Sequence, residues 1–556
     1  MDPNSSVAKE CSEPPISKLN VDVLMQIFSI NVELHPPIPK RDYPNYEPRS
    51  MSPLTNTRCC SQVCKFWRSI ILGSPLLWAN SIDLDTLRQR KDTWRREVLR
   101  RTGTALLVVR STLAPELGTA MERFAMDMIC ANWERMKVLD IAVDSPSFLK
   151  SVKVKFRRPA RNLYAFAITS LRLGTAERVL EGALFAGKAP RLSIFSITSS
   201  SSSHPYREFP FAPILFTNHL CKLTLDDPLI ISAPALLAAC ASMPSLEELS
   251  LVIERITAAA TSEVQSISLP RLKSLRVRSD PFSIFPEFLG RIIARPSHQF
   301  LAGCSLGHIR SWDDAEQNSA AYIERIPKII VSYLSIFFED NNSALSRPTC
   351  LDLNIRDNLV ISVYAQSCSI ENAYFRMTVS GRRPSGIDDA VVQALLTVDF
   401  PSSLTRLHFE PPNLSRSHTS KIPSLAPIFH TLNSITDLHT TVKGLSYIVS
   451  VSSQAKGHIF FRNLHTVILM DSIQDTHFYS ASTRLVVQSF FAHRYHVSPV
   501  SVLDLTSIPR QSGDLRYLEE LEGLKVVWKA GVGRSGALVI REYVCGSGDP
   551  EQLVIC

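Results

Sequence analysis

Apolar residues recur along most of this chain in a short pattern, apolar-x-x-apolar-x-apolar: "LSIFSI" at 192, "LCKLTL" at 220, "LEELSL" at 246 and "LKSLRV" at 272. First positions at Met136, Leu163, Leu192, Leu220, Leu246, Leu272 and Leu301 follow one another at intervals of 27, 29, 28, 26, 26 and 29 residues. The pattern returns at Tyr374, Leu404, Ile435 and Leu464, then less regularly at Val500 and Leu521. Each hexad predicts a short strand with its apolar side chains turned inward, and the residues between hexads suffice for a returning helix or irregular segment. A single unit would leave that face wet. Stacking buries three or more side chains per unit at about 1.5–3 kcal/mol each, so the array is expected to fold cooperatively.

The amino end has a different period. In "ISKLNVDVLMQIF" at 16 to 28, Leu19, Val23, Leu24, Ile27 and Phe28 fall at helical spacing, with Asn20 as N-cap and Asp22 in the first turn. From about 31 to 57, Pro36, Pro37, Pro39, Pro44, Pro48 and Pro53 predict a loop. Cys60, Val63, Cys64, Trp67, Ile70 and Ile71 then form a second apolar stripe, with Trp67 in the core; Gly73 ends that helix and Pro75 prevents its resumption. Two short helices cannot bury both stripes against each other, so apolar area near Leu19, Leu24 and Val63 is expected to seek a groove on another protein. A linking helix is expected over 81–103, where Leu87, Trp94 and Val98 of "LRQRKDTWRREVLRR" make a buried stripe under a solvated basic face. "KVKFRRPAR" at 153 to 161 is a weak candidate for nuclear import or phosphate contact.

Composition narrows the class without identifying it. The 556 residues exceed one ordinary core, and 45% hydrophobic with 20% charged residues is the balance of a folded chain. A net charge of +8, from 60 basic and 52 acidic residues, is a weak argument for nucleic acid, which is not expected as a partner. "MDPNSSVAKECSEPP" lacks the apolar stretch of a secretory signal, and "IIVSYLSIFF" at 329 to 338 is too short to span a bilayer and reads as a buried element. Twelve irregularly spaced cysteines suit a reducing compartment and buried thiols. The expected location is cytoplasmic and/or nuclear.

Candidate chemistry is sparse. "AGVGRSG" near the carboxyl end places Gly531, Gly533 and Gly536 as in a dinucleotide loop, but the following "ALVIREYV" is β-forming and leaves too few residues for a βαβ unit. The stretch also resembles the phosphate loop of protein tyrosine phosphatases, with Trp528 where the nucleophilic Cys belongs and Val527 where the His belongs. A Gly-rich turn leading into a closing strand is the reading adopted. Cys59, Cys60 and Cys64 have no further Cys pair or His at zinc spacing, and His493 and His496 have no paired nucleophile. No catalytic, cofactor-binding or metal residue is assigned, and no enzyme activity is expected.

"LNVDVLMQIF" followed by "CSQVCKFWRSIILGSPLLW" resembles the F-box over residues 16–80: Val63, Cys64, Trp67, Arg68, Pro75, Leu77 and Trp78 stand in family register, while Asn20 replaces the usual Pro and Asp22 the usual Glu. The hexads resemble divergent leucine-rich repeats. Together they resemble the F-box substrate receptors of cullin-RING (SCF) ubiquitin ligases found in mushroom-forming fungi. The resemblance implies an α/β fold: a tail at 1–15, an all-helical F-box with its Pro-rich insertion at about 31–57, the linking helix, a leucine-rich-repeat-like solenoid of short parallel strands with convex helices or irregular segments over 104–530, and a closing strand and tail at 531–556. It implies docking on a Skp-type adaptor, and through it a cullin scaffold, by Leu19, Asn20, Val23, Leu24, Ile27, Val63, Cys64 and Trp67, with a protein substrate on the repeats. The alternatives are a leucine-rich-repeat scaffold with no ubiquitin role and, behind it, an enzyme whose site is unrecognised.

Overall fold

The computed structural model describes residues 19–33, 52–88, 91–112, 119–170, 184–199, 218–257, 266–279, 285–294, 299–305, 312–339, 349–355, 358–364, 375–380, 387–411, 424–455, 458–470, 481–508, 513–532 and 538–555. It is a mixed α/β structure with largely parallel strands, and it divides into two compact units, Met1–Asp227 and Pro228–Cys556.

The first unit opens with helices α1 (Val21–Glu33), α2 (Pro53–Val63), α3 (Lys65–Leu72) and α4 (Pro75–Asn80). Asn20 caps α1: its Oδ1 accepts from the Asp22 amide at 3.2 Å, and its carbonyl accepts from the Leu24 amide at 3.1 Å. The helix runs to Glu33, past the expected start of the loop, and α2 begins at Pro53, before its expected end. Proline fits there because the first residue of a helix needs no donor. The same reason overturns the expectation for Pro75, which opens α4 instead of blocking helix.

The second stripe is two helices rather than one. Cys64 is extended (φ −153°, ψ 168°), and its Sγ accepts from the Trp67 amide at 3.4 Å, so it ends α2 and caps α3. Arg68 braces this break by donating from Nε to the Ser61 carbonyl at 3.1 Å. Leu24, Phe28, Val32, Leu54, Ile71, Leu77 and Trp78 form the core beneath, where the Trp78 indole donates to the Ile71 carbonyl at 2.8 Å.

Next come β1 (Ile82–Asp83), α5 (Asp92–Arg101), β2 (Leu107–Ser111), α6 (Ala120–Ala131), β3 (Met136–Val143), α7 (Pro146–Phe156), β4 (Ala165–Ser170), β5 (Ile194–Ser199) and β6 (Lys222–Ser232). The expected linking helix therefore holds only its second half, because β1 pairs with β2 ahead of α5. Arg95 leaves the expected basic face: it is buried, with Nε donating to the Leu87 carbonyl at 2.7 Å and its guanidinium meeting Asp92. Trp94 is only half-buried, unlike Leu87 and Val98. β2 to β6 pair in chain order, all parallel, which sets Val109, Leu139, Phe166, Phe195 and Leu223 side by side in one buried row.

The second unit continues with β7 (Glu248–Thr257), β8 (Ile267–Leu269), β9 (Ser274–Ser279), β10 (Ile292–Ala294), β11 (Gln299–Ser305), β12 (Cys350–Asn354), β13 (Asn358–Tyr364) and β14 (Phe375–Ser380). It closes with β15 (Arg406–Glu410), β16 (Asp437–Thr440), β17 (Thr466–Leu469), β18 (Val502–Asp504), β19 (Gly513–Asp514), β20 (Lys525–Val532), β21 (Leu538–Val544) and β22 (Val554–Ile555). Parallel pairing links β7, β9, β11 and β14; β13 lies antiparallel between β14 and β12; parallel pairing then resumes from β12 through β15, β16, β17 and β18 to β20, with β21 antiparallel at the end. Leu351, Leu407, Leu438, Val467, Leu503 and Val526 make the buried row here.

The break in the hexad pattern after Leu301 holds a long helix, Trp312–Glu339, whose Ile326, Ile329, Ile330, Tyr333 and Leu334 are buried, so the first half of the apolar run at 329 to 338 supplies core residues. Among the described residues no helix is long and apolar enough to cross a membrane. Cys240, Cys350 and Cys545 are buried free thiols, but Cys59 and Cys64 are exposed, against the expectation for cysteines generally.

Candidate docking face

α1 shows what its apolar spacing can and cannot tell. Leu24, Phe28 and Val32 recur every four residues and point into the core, while Val23, Ile27 and Ile30 point out, 42%, 38% and 55% exposed. Leu24 is fully buried, so it does not belong to the docking set that the F-box resemblance implies. Leu19 is half-buried and Asn20 is exposed but committed to the cap.

The corner between α2 and α3 supplies the second part. Val63, the last residue of α2, is 62% exposed, Cys64 is exposed, and Phe66 at the start of α3 is 41% exposed. Trp67 is not core: it is half-buried, edge-on to Phe28 with ring centroids 5.0 Å apart, and ties α3 to α1. Sequence reasoning missed Phe66 and Leu72 as outward apolar positions because it treated the second stripe as one helix, and it did not consider Ile30 on α1 or Leu76 on α4. In all, eight of the fifteen strongly exposed large apolar side chains among the described residues fall between Val21 and Leu76. That concentration makes these helices the candidate docking face. A small cavity beneath it lies between Phe28, Val32, Thr57, Cys60, Ile71 and Leu77. Burial, and then the neighbouring Cys59, pushes the Cys60 thiol above its ordinary value.

A polar cluster that sequence reasoning did not find lies in the second unit. His408 and His439 are in register on β15 and β16, and Asp352 on β12 is in register with His408. Burial, and then Glu410, raises the Asp352 carboxyl to about 7. Burial, with Arg406 adding to it, lowers His408 to about 4; burial, then His408 and Arg406, lowers His439 to about 3. The His439 Nε2 and the Ser362 hydroxyl, in register with Asp352 on β13, have no hydrogen-bond partner among the described residues. The signal was present in "LTRLHF" and "ITDLHT", where the two histidines occupy the same hexad position.

Of the other chemistry weighed from sequence, Gly533, Arg534 and Gly536 lie outside the described residues, while Trp528 is buried on β20 and Val527 pairs with Glu542 of β21. His493 does meet a serine, its Nε2 lying 3.3 Å from Ser452 Oγ. Ser452 is buried and donates its hydroxyl to the His458 carbonyl, so it is a local tie rather than an activated nucleophile. No group of three or more His, Cys, Asp or Glu able to hold a metal occurs among the described residues.

Comparison with protein-family models finds no match to this chain, and comparison with curated proteins finds none.

Proposed function

We propose that the chain is a substrate-recognition subunit of an SCF-type ubiquitin ligase, its amino-terminal helices an F-box that docks on a Skp-type adaptor and its parallel-strand body a divergent leucine-rich-repeat solenoid that binds a protein substrate. The observation that carries this reading is the outward apolar set on α1 and the α2–α3 corner, Val23, Ile27, Val63 and Phe66, held up by a separate buried layer of Leu24, Phe28, Ile71 and Trp78. Each apolar side chain fully covered by a partner contributes about 1.5–3 kcal/mol, so four suffice to anchor a protein groove before the cost of association. The F-box register of Val63, Cys64, Trp67, Arg68, Pro75, Leu77 and Trp78 supplies the identity of that groove.

Binding of the full chain to a purified Skp-type adaptor, by calorimetry, tests the reading. Val23→Asp and Val63→Asp are each expected to weaken binding at least about tenfold, since each would bury a charge at the contact. A folded chain that shows no adaptor binding would leave a recognition scaffold without a ubiquitin role.

A further inference from the structure

The whole-chain charge conceals a local imbalance. Residues 145–170 and 184–199 carry eight basic side chains and no acidic one: Lys150, Lys153, Lys155, Arg157, Arg158, Arg161, Lys188 and Arg191. The fold collects the later members of this set at one edge of the first unit. α7 ends at Phe156, and the turn that follows it lies against the turn before β5, through the Ala160 amide donating to the Lys188 carbonyl at 2.9 Å. The Arg158 carbonyl is held by the Trp133 indole at 3.4 Å. On this scaffold Arg158, Arg161, Lys188 and Arg191 are all exposed, and none forms an ion pair among the described residues.

Basic residues in the last turn of a helix are commonly explained by its negative dipole end. That accounts for Lys153 and Lys155, but Arg161, Lys188 and Arg191 stand beyond the helix, where the dipole effect has faded. Like charges held together raise one another's energy, so a site of this kind gains most from a partner that brings regular negative charge. The same edge exposes an aromatic ring. Tyr164, immediately before β4, is 45% exposed, its amide donating to the Lys137 carbonyl at 2.7 Å and its carbonyl accepting from the Ser193 amide at 2.8 Å. Lys137 is itself exposed.

We propose that this edge of the first unit binds the phosphate backbone of single-stranded nucleic acid, with Arg158, Arg161, Lys188 and Arg191 on phosphates and Tyr164 stacking on a base. Arginine forks match phosphate oxygens two at a time, and an exposed aromatic side chain at the same edge suits a flat base rather than an acidic peptide. The site is separate from the apolar docking set on α1 to α3, so it does not depend on the ubiquitin reading. It runs against the expectation that nucleic acid is not a partner, and it builds on the phosphate-contact candidate at 153 to 161.

The test uses the full chain and fluorescence anisotropy with a labelled single-stranded homopolymeric RNA, polyglutamate of similar charge serving as competitor. Arg158→Glu, Arg161→Glu and Arg191→Glu combined are expected to weaken RNA binding at least about tenfold and to flatten the salt dependence by about one unit of slope per lost contact. The corresponding Arg→Gln triple variant, with unchanged circular dichroism and melting temperature, must show the same direction, which separates lost contacts from lost folding. Tyr164→Ala alone is expected to cost about fivefold or more. The proposal is overturned if the wild-type chain does not bind RNA at low salt, if the folded Gln variant binds like wild type, or if polyglutamate competes as well as RNA itself. That last result would assign the edge to an acidic protein.

Discussion

His408 and His439 stack ring on ring across adjacent parallel strands, centroids 4.1 Å apart and planes 19° from parallel. Two imidazoles so placed cannot both carry a proton cheaply, and partial burial holds both neutral well below their ordinary titration.

A pH dependence follows with a definite sign. Both histidines have folded values below the unfolded value, so their contribution to stability is complete above about pH 6.5 and is lost as the pH falls through about 4 and 3. Asp352 is raised to about 7 and works in the opposite sense, favouring the folded state below its unfolded value and losing that benefit as the pH rises through 7. Two groups outweigh one between pH 4 and 6.5. Denaturant midpoints for the wild type are expected to fall on acidification through that window, and His408→Gln with His439→Gln, which leaves Asp352 unopposed, is expected to abolish the fall and turn it into a rise. Equal pH slopes in wild type and double variant would refute the assignment.

Leu24 and Val23 are neighbours in sequence with opposite roles. Leu24→Ala removes a fully buried side chain and is expected to cost about 2–5 kcal/mol in urea unfolding of the segment containing it. Val23→Ala, at a position 42% exposed, is expected to stay within about 0.5 kcal/mol of wild type.

Arg494 is buried at the end of helix Ala481–Arg494, donating to the Phe460 carbonyl at 2.6 Å, the Phe461 carbonyl at 2.8 Å and the Ser498 hydroxyl at 3.1 Å. Burial lowers it to about 10, which leaves it charged at neutral pH. It holds the turn in which Phe461 takes a positive φ of 52°. Arg494→Ala would strand the Phe460 carbonyl and leave that of Phe461 with the Leu464 amide alone, 2.9 Å away, and is expected to cost about 1–3 kcal/mol; Arg494→Lys should recover less than half, because an ammonium lacks the planar fork. Chemical denaturation of the three proteins measures this directly.

Gly444 sits in the first turn of helix Val442–Gln454, its amide donating to Thr441 Oγ1 at 3.3 Å. Helix propensity alone favours alanine there by about 1 kcal/mol. A Cβ at this position would lie 1.9 Å from Thr440 Oγ1, which donates to the Phe409 carbonyl at 2.8 Å. Gly444→Ala is therefore expected to lower the melting temperature, and adding Thr440→Ala to recover part of the loss. A more stable single variant would show that the close approach is relieved without cost.

Much of the second unit was legible because its signal is local and repeated. First hexad positions such as Leu246, Leu404, Ile435 and Leu464 are all buried, and the strands that follow them pair in parallel. Period-2 alternation within a hexad and a constant interval between hexads leave few other ways to cover the apolar face. The antiparallel strand β13 was not legible, since nothing in "NLVISVY" distinguishes the direction in which a strand will pair. The docking face was half legible: the spacing placed Val23 and Ile27 on one helix with Leu24, but treated all three alike.

The sequence by itself determined the periods, the cap at Asn20 and the recurring strands, because those depend on residues within a few positions of one another. Only the tertiary structure decided that Leu24 is core while Val63 is exposed, that Cys64 breaks the second helix, and that basic residues from two separate turns stand together at one edge. Which side of a helix is covered, and which turns become neighbours, depends on packing against elements far along the chain, and no local pattern carries that information.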